Sequence, residues 1–444
     1  MENRKTVANI NDEIKNERKK QILNYMENKE YKPLLFKELT NALNVTEEDS
    51  VVFKAALNEL ETEGRVIKSK NKKYGLPEHF GLITGRLQMN EKGFGFVIPD
   101  TPGAEDIYIS PDLLHGAMHN DRVLVKVLTR DIFNKKDEGE IIRVLERANQ
   151  TVVGNLYKSK HFYYVLPDEK RLTGEIFIPD EERGGALQGQ KVVVKITKWP
   201  ENTKHAEGKV IEILGDKDDP SIDVLSVIRS FDLPSEFPEN VINQAKKIPD
   251  SITPEEAEGR RDLRTLRTFT IDSEDAKDLD DAVSIELTSE GVYKLGVHIA
   301  DVSHYVKENS PIDKEAQKRG TSIYFPGEVL PMLPTQLSNG ICSLNANTDR
   351  LAFSVIMNID NNGDVIDHEI FESVIRTAER MTYTDVYKIL EEKDESLLSK
   401  YSNIAKDLEI MKELALILRE KRLERGALDF DLGEAKIVVD SNCR

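Results

Sequence analysis

Residues 85–100 read GRLQMNEKGFGFVIPD, and residues 154–168 read GNLYKSKHFYYVLPD. In both, apolar and polar residues alternate with period two, the pattern of strands with one buried face. The two stretches belong to an internal repeat. Gly85 and Gly154 lie 69 residues apart, and so do Tyr108 and Phe177, Gly116 and Gly185, and Val123 and Val192. Pro99 and Pro167 lie 68 apart, a one-residue gap in an otherwise constant offset. Each copy continues through a short strand and a longer one, EDIYIS and RVLVKVL in the first, GEIFIP and KVVVKIT in the second. Short strands at this spacing predict two small all-β barrels, over 78–147 and 148–216.

The first copy places Phe94 and Phe96 on one face of a strand beside Lys92, with Tyr108 following. Aromatics interleaved with a cation form a stacking platform for single-stranded bases. Period two does not say which face is wet, so platform and core both stand for Phe94, Phe96 and Tyr108. The second copy keeps the frame but reads HFYYVL in place of the glycines.

Upstream, residues 1–77 read as three helices and a basic hairpin. Ile22, Leu23, Tyr25 and Met26 mark a helix within Ile14–Lys29, LLFKELTNAL follows Pro33, and Thr46 with Asp49 resembles an N-cap opening a helix through Leu60. Gly64 ends it, and RVIKSKNKKYGL forms a wing with Lys68, Lys70, Lys72 and Lys73. A winged helix binds nucleic acid or docks a protein, and the third helix offers few cations to a groove. Downstream, 217–260 is rich in Asp, Glu and Pro and reads as a connector with one short helix around Glu239–Lys247. From 261 to 444 the pattern is α+β, with strands in FTIDS, AVSIEL, YKLGVHIA and LAFSVIMNID and long helices from Thr384.

The 444 residues carry 62 Lys+Arg against 80 Asp+Glu, a formal charge of −18. That balance argues against nucleic acid bound over the whole surface, but not against RNA held in a local channel. No run of about 18 apolar residues is present, so no membrane helix is expected. The first twenty residues are too polar for a secretory signal. Cys342 and Cys443 are the only cysteines, which excludes a disulfide scaffold and a multi-cysteine metal site. A cytoplasmic multidomain protein is expected.

The strongest chemical signal is RTFTIDSEDAKDLDDAVSIEL, residues 267–287. Asp272 closes an apolar strand, and Asp278, Asp280 and Asp281 lie on the loop before the next. Four carboxylates brought together raise one another's pKa unless cations join them. Oxygen-only ligands suit Mg²⁺ or Mn²⁺. A calcium EF-hand fails on spacing, because Ala276 and Lys277 stand where an oxygen ligand and a glycine are required. A solvated acidic turn is the bland alternative.

The blocks IDSEDAKDLDDA, GVHIADVSHYV, TSIYFPGEVLPMLP, CSLN and DRLAFSV resemble, in order, the catalytic domain of the ribonuclease II/R (RNB) family. KGFGFV with DIYIS resembles a cold-shock domain, an OB-fold barrel. A winged helix and two such barrels ahead of the catalytic domain are similar to the ribonuclease R branch. The resemblance implies processive 3′→5′ hydrolysis of RNA, structured RNA included, to 5′-mononucleotides in a Mg²⁺-dependent site. It implies Asp272, Asp278 and Asp281 as metal ligands and Asp280 as the carboxylate of the hydrolytic step. Ser273 stands where many relatives have proline, which removes no ligand. Tyr324 matches the tyrosine that stacks on the 3′-terminal base, and Phe430, in GALDF, lies near the aromatic that forms the other jaw of that clamp. The implied partners are single-stranded RNA and 3′ overhangs of structured RNA, with the ribosome and RNA-decay proteins as candidates, and no membrane.

Other signals read as structural. His298, Asp301 and His304 are expected to be hydrogen-bonded residues at a strand end, and the apolar stripe from Ile404 to Leu423 is expected to be packing. Arg350, Arg376 and Arg380 fit phosphate contacts and ion pairs equally. The chain stops at GEAKIVVDSNCR, before the family's SPIRRY-like block and C-terminal RNA-binding barrel, so an incomplete RNB domain with little or no hydrolysis is expected. A catalytically impaired RNA-binding fragment is the alternative to an active nuclease. A Mg²⁺ enzyme acting on another phosphate is a third reading, against which Tyr324 and the barrels weigh.

Overall fold

The computed structural model describes residues 2–130, 137–200 and 205–430. The N-terminal elements are α1 (Glu2–Met26), β1 (Leu34–Leu35), α2 (Phe36–Ala42), α3 (Ser50–Thr62), β2 (Ile67–Lys68) and β3 (Lys73–Gly75), the strands in order β1-β3-β2. Phe53, Ala56, Leu57 and Leu60 recur at helical spacing on α3 and are buried with Ile22, Leu23 and Met26 of α1. The Thr46 hydroxyl accepts from Asp49 N–H at 3.3 Å. That bond closes a turn, and α3 begins only at Ser50. The acids of α3 meet the bases of α1, Lys15 on Glu59 at 2.8 Å and Lys19 on Glu59 and Glu63 at 2.6 Å. The C-terminal end of α3 docks on the first barrel, where Arg143 and Arg122 donate to the carbonyls of Glu61 and Glu63, each at 3.0 Å.

The repeat forms two closed barrels. The first contains β4 (Leu82–Met89), β5 (Gly95–Pro99), β6 (Ile107–Ile109), β7 (Arg122–Arg130) and β8 (Asp137–Glu146). The second contains β9 (Thr151–Lys158), β10 (Tyr163–Pro167), β11 (Ile176–Ile178), β12 (Gln190–Lys198) and β13 (Ala206–Asp216). Strand order matches between them, with β6 parallel to β8 as β11 is to β13. The cores also match, Leu87, Val97, Ile107 and Val123 in one and Leu156, Val165, Ile176 and Val192 in the other.

The acidic segment after β13 does more than connect. It carries α4 (Asp223–Ser230), α5 (Glu239–Ala245) and α6 (Pro254–Ala257). Arg229 of α4 pairs with Glu212 of β13 at 2.7 Å. Val241 and Ala245 of α5 enter the core of the domain that follows. The described residues divide into two units, before and after the step from Leu233 to Pro234.

The second unit holds β14 (Arg261–Asp262), β15 (Thr268–Asp272), β16 (Asp281–Leu287), β17 (Tyr293–Ala300), α7 (Val302–Tyr305), α8 (Pro311–Arg319), β18 (Ile323–Phe325) and β19 (Glu328–Leu330). It continues with β20 (Asp349–Ile359), β21 (Val365–Thr382), α9 (Tyr383–Tyr387), α10 (Glu395–Lys400) and α11 (Ala405–Glu424). The main sheet runs β14-β21-β15-β16-β17-β20, and β21 also pairs with β20. The 18-residue β21 changes partner along its length, antiparallel to β20 up to Arg376 and parallel to β15 from Thr377. Its first third, VIDHEI, is exposed throughout and lacks the alternation by which a strand is read from sequence. After Thr384 only α11 is long. It packs Leu414 with Ile410 and Ile417 on Ile285, Tyr293 and Ile359, the packing role expected of the apolar stripe. Among the described residues, no helix is long and apolar enough to cross a membrane. Cys443 and GEAKIVVDSNCR lie outside the described residues.

Candidate active site

β15 and β16 are antiparallel neighbours, so the strand ending in Asp272 and the strand beginning with Asp281 bring the two ends of the acidic loop side by side. Leu279 is wholly buried with Leu337, Ile341, Cys342 and Leu344, which pins the loop between Asp278 and Asp280. Its backbone is held from several sides. The Ser343 hydroxyl donates to Lys277 C=O at 2.8 Å and accepts from Leu279 N–H at 3.1 Å. Leu344 N–H donates to Leu279 C=O and Ala300 N–H to Asp280 C=O, each at 2.9 Å. Arg380 Nη2 donates to the carbonyls of Glu274 and Ala276 at 3.0 and 2.6 Å, and the Thr384 hydroxyl bonds the Glu274 carboxylate.

The carboxylates share one field. Burial raises Asp272 above the ordinary carboxylate range, Asp281 and Asp278 add to the rise, and Arg380 opposes it. Asp280 is raised by burial and then by the charges of Asp278, Asp281 and Asp272. Tyr324 stands on the β18–β19 hairpin, 63% exposed, and its hydroxyl donates to Asp278. That bond, followed by burial and the neighbouring carboxylates, pushes the phenol up to about 12. Asp272, Asp278, Asp280, Asp281 and Tyr324 therefore come together. Among the described residues, no three acidic, histidine or cysteine side chains draw in to metal-ligand spacing. The donor set itself, carboxylate oxygens close enough that the charges of Asp278 and Asp281 raise Asp272 and Asp280, has the chemistry a hard divalent cation satisfies.

Phe430 is 70% exposed beyond the end of α11 and makes no ring contact with Tyr324 among the described residues. Phe94, Phe96 and Tyr108 lie outside the barrel core, half-buried, with ring centroids 5.7–5.8 Å apart. The second barrel carries an equivalent group that sequence reasoning missed. Phe162 lies 5.7 Å from Phe177 and 6.1 Å from Tyr164, which stacks on Tyr157 at 5.7 Å and 22°. The repeat offset held the signal, since it maps Phe94, Phe96 and Tyr108 onto Phe162, Tyr164 and Phe177.

His298, Asp301 and His304 are hydrogen-bonded, as expected. His298 is buried between the hydroxyls of Ser284 and Ser354, and burial lowers its pKa to about 4. Asp301 pairs with Arg260 at 2.6 Å and His304 with Glu256 at 3.0 Å. Arg350 is buried on three carbonyls, Arg376 pairs with Asp349 at 2.6 Å, and Arg380 grips the acidic loop.

An acidic loop between strands of an α+β domain, on a chain that also builds two OB-type barrels, defines the RNB-domain class. The family model for the RNB domain matches residues 260–444, that for the ribonuclease B OB domain 85–144, and that for the cold shock domain 164–238. The chain belongs to the ribonuclease R family. It is 42% identical to ribonuclease R of Thermotoga maritima over 431 residues, 96% of this chain and 60% of that protein. It is 34% identical to ribonuclease R of Acidithiobacillus ferrooxidans over 411 residues, 92% of each. It spans 60%, 57% and 53% of the length of the relatives from Thermotoga maritima, Aquifex aeolicus and Lactococcus lactis. Mycoplasma genitalium RNase R in complex with ribose-methylated single-stranded RNA superposes with a TM-score of 0.73 at 29% identity, covering 81% of this chain and 56% of that one. The same protein in complex with double-stranded RNA gives 0.63, covering 75% and 56%.

Proposed function

We propose that this chain carries the divalent-metal-dependent 3′→5′ exoribonuclease activity of its family, hydrolysing RNA processively to 5′-mononucleotides and degrading structured RNA from 3′ overhangs. The observation that carries this reading is the gathering of Asp272, Asp278, Asp280 and Asp281 in one field beside the exposed Tyr324. Asp272, Asp278 and Asp281 would hold Mg²⁺, with Mn²⁺ as substitute. When bound, such an ion supplies positive charge to the scissile phosphate. Asp280 takes the proton of the attacking water. Tyr324 stacks on the 3′-terminal base without reading its identity, and Phe430 closes on the other side. The barrel aromatics hold upstream nucleotides, and residues 1–77 form a winged helix held to the first barrel.

The test is release of mononucleotides from a 3′-recessed and a single-stranded RNA in Mg²⁺, comparing the chain with Asp280→Asn. A loss of at least about 10²-fold in the variant is expected, in line with removal of one acid–base group. RNA binding without release of mononucleotides by either chain would favour the RNA-binding reading instead.

A further inference from the structure

The acidic loop depends on one side chain that carries no charge. Ser343 is 0% exposed and lies on the CSLN turn, far from the loop in sequence. Its hydroxyl uses both of its capacities there, donating to the carbonyl before Asp278 and accepting from the amide after it. The peptides on either side of a single carboxylate are thereby fixed to one oxygen atom, which removes the rotation that would swing Asp278 away from Asp280. Ser343 is itself held. Arg350, in β20, is buried against the same turn and donates from Nε to Ser343 C=O at 2.9 Å, from Nη1 to Asp349 C=O at 3.0 Å and from Nη2 to Gly340 C=O at 3.1 Å. A buried guanidinium that spends its donors on carbonyls acts as a clamp on the turn rather than as a phosphate contact.

The geometry points to Ser343 as a positioning residue for the carboxylate site, with Arg350 fixing Ser343 and Ser343 fixing the backbone on both sides of Asp278. The assignment rests on the metal-dependent reading above. Groups that orient ligands without touching the ion commonly change metal affinity 10- to 100-fold when removed.

The test uses the full chain, Ser343→Ala, and Ser354→Ala as a control. Ser354 is equally buried, with its hydroxyl on His298 and Ser373, and touches no part of the loop. Deuterium exchange without metal reads the loop directly. Ser343→Ala, which removes both hydroxyl bonds to the loop, is expected to speed exchange across residues 278–281 at least about tenfold, and Ser354→Ala to leave those amides unchanged. Calorimetry with Mn²⁺ alone then reads the ligands, with about 10- to 100-fold weaker binding in Ser343→Ala and wild-type binding in Ser354→Ala. Unchanged loop exchange or unchanged Mn²⁺ affinity in Ser343→Ala overturns the assignment, as does an equal loss in Ser354→Ala. Identical Mn²⁺ binding by the wild-type chain and by Asp272→Asn/Asp281→Asn overturns the metal reading itself, and the assignment with it.

Discussion

The two barrels share a strand order and a core, yet only the first has KGFGFV. Gly95 faces Met89 across the β4–β5 ladder, and the paired positions in the second barrel are Tyr163 and Lys158. A Cβ on Gly95 would come within 2.7 Å of Leu87 Cδ1 and 3.1 Å of both Met89 Sδ and the Gln88 carbonyl oxygen. In the second barrel the methionine is gone. Tyr163 takes the space, packs on the core, and lies under Lys158 and Arg183, whose charges stand 5.3 and 4.9 Å from the ring centre. Gly85 and Gly154 are kept in both copies for a harder reason, since a Cβ there would meet a backbone carbonyl at 2.4 and 2.2 Å. The central glycine of KGFGFV thus answers to the interior of its own barrel. The outward rings are a separate matter, and both barrels have them.

A second contrast lies one turn away. Asp121 and Gln190 occupy equivalent positions, and each accepts from the amide three residues back, Met118 at 2.9 Å and Leu187 at 2.7 Å. Only Asp121 is wholly buried, and only it also accepts from Ala148 N–H and Arg147, each at 2.9 Å. Arg147 in turn lies over Trp199 of the second barrel at 5.4 Å. Removing a buried partner strands the other charge, so Asp121→Ala is expected to cost about 3–5 kcal/mol of first-barrel stability. Gln190→Ala is expected to cost about 1 kcal/mol in the second. Hydrogen exchange resolved by barrel measures both in the full chain, and equal costs would erase the distinction.

The exchange of Gly95–Met89 for Tyr163–Lys158 predicts that Gly95→Tyr alone overpacks the first barrel by about 3 kcal/mol. Adding Met89→Lys should recover part of that loss. A double variant less stable than the single one, measured by denaturant titration, would mean the pair is not the unit of exchange.

Removing the rings tests whether both outer faces work. Phe96→Ala and Tyr164→Ala should each weaken binding of a long single-stranded RNA by about 1–3 kcal/mol without changing barrel stability. A loss confined to Phe96→Ala in fluorescence titrations would restrict stacking to the first barrel.

The smallest effect concerns His119, whose counterpart is Gln188. His119 is buried, its Nδ1 accepts from Met89 N–H at 3.1 Å, and burial followed by the Arg171 charge lowers its pKa, with Glu169 and Asp121 opposing. The unfolded chain then binds more protons than the folded one below pH 6.5. Stability of the first barrel is complete above that pH and falls as pH drops towards the depressed value. Melting followed by exchange at pH 7 and pH 5 should show this loss in the wild-type chain and not in His119→Gln.

What could be read from sequence was local. The period of two exposed the barrels, the spacing of Asp272, Asp278, Asp280 and Asp281 exposed the acidic loop, and a short motif exposed Tyr324. Contacts between distant segments could not be read that way. Arg380 fitted phosphate contacts and ion pairs equally from its charge, whereas it grips the loop through carbonyls. Ser343 carries no charge to draw notice. The missing glycines around Tyr163 diverted attention from Phe162, Tyr164 and Phe177, although the repeat offset names them. The first third of β21 escaped because a stretch exposed on both faces has no buried period.

That strand has a consequence in time. Asp272 reaches its sheet neighbour only through the last residues of β21, and Ala276 is gripped by Arg380, 104 residues further along the chain. At a synthesis rate of about 5–20 residues per second, the acidic loop is complete for about 5–20 s before its clamp exists. A growing chain therefore carries its barrels, which close from neighbouring strands, well before it can hold four aspartates in place. On the proposed function, RNA would be grasped during synthesis before it could be cut.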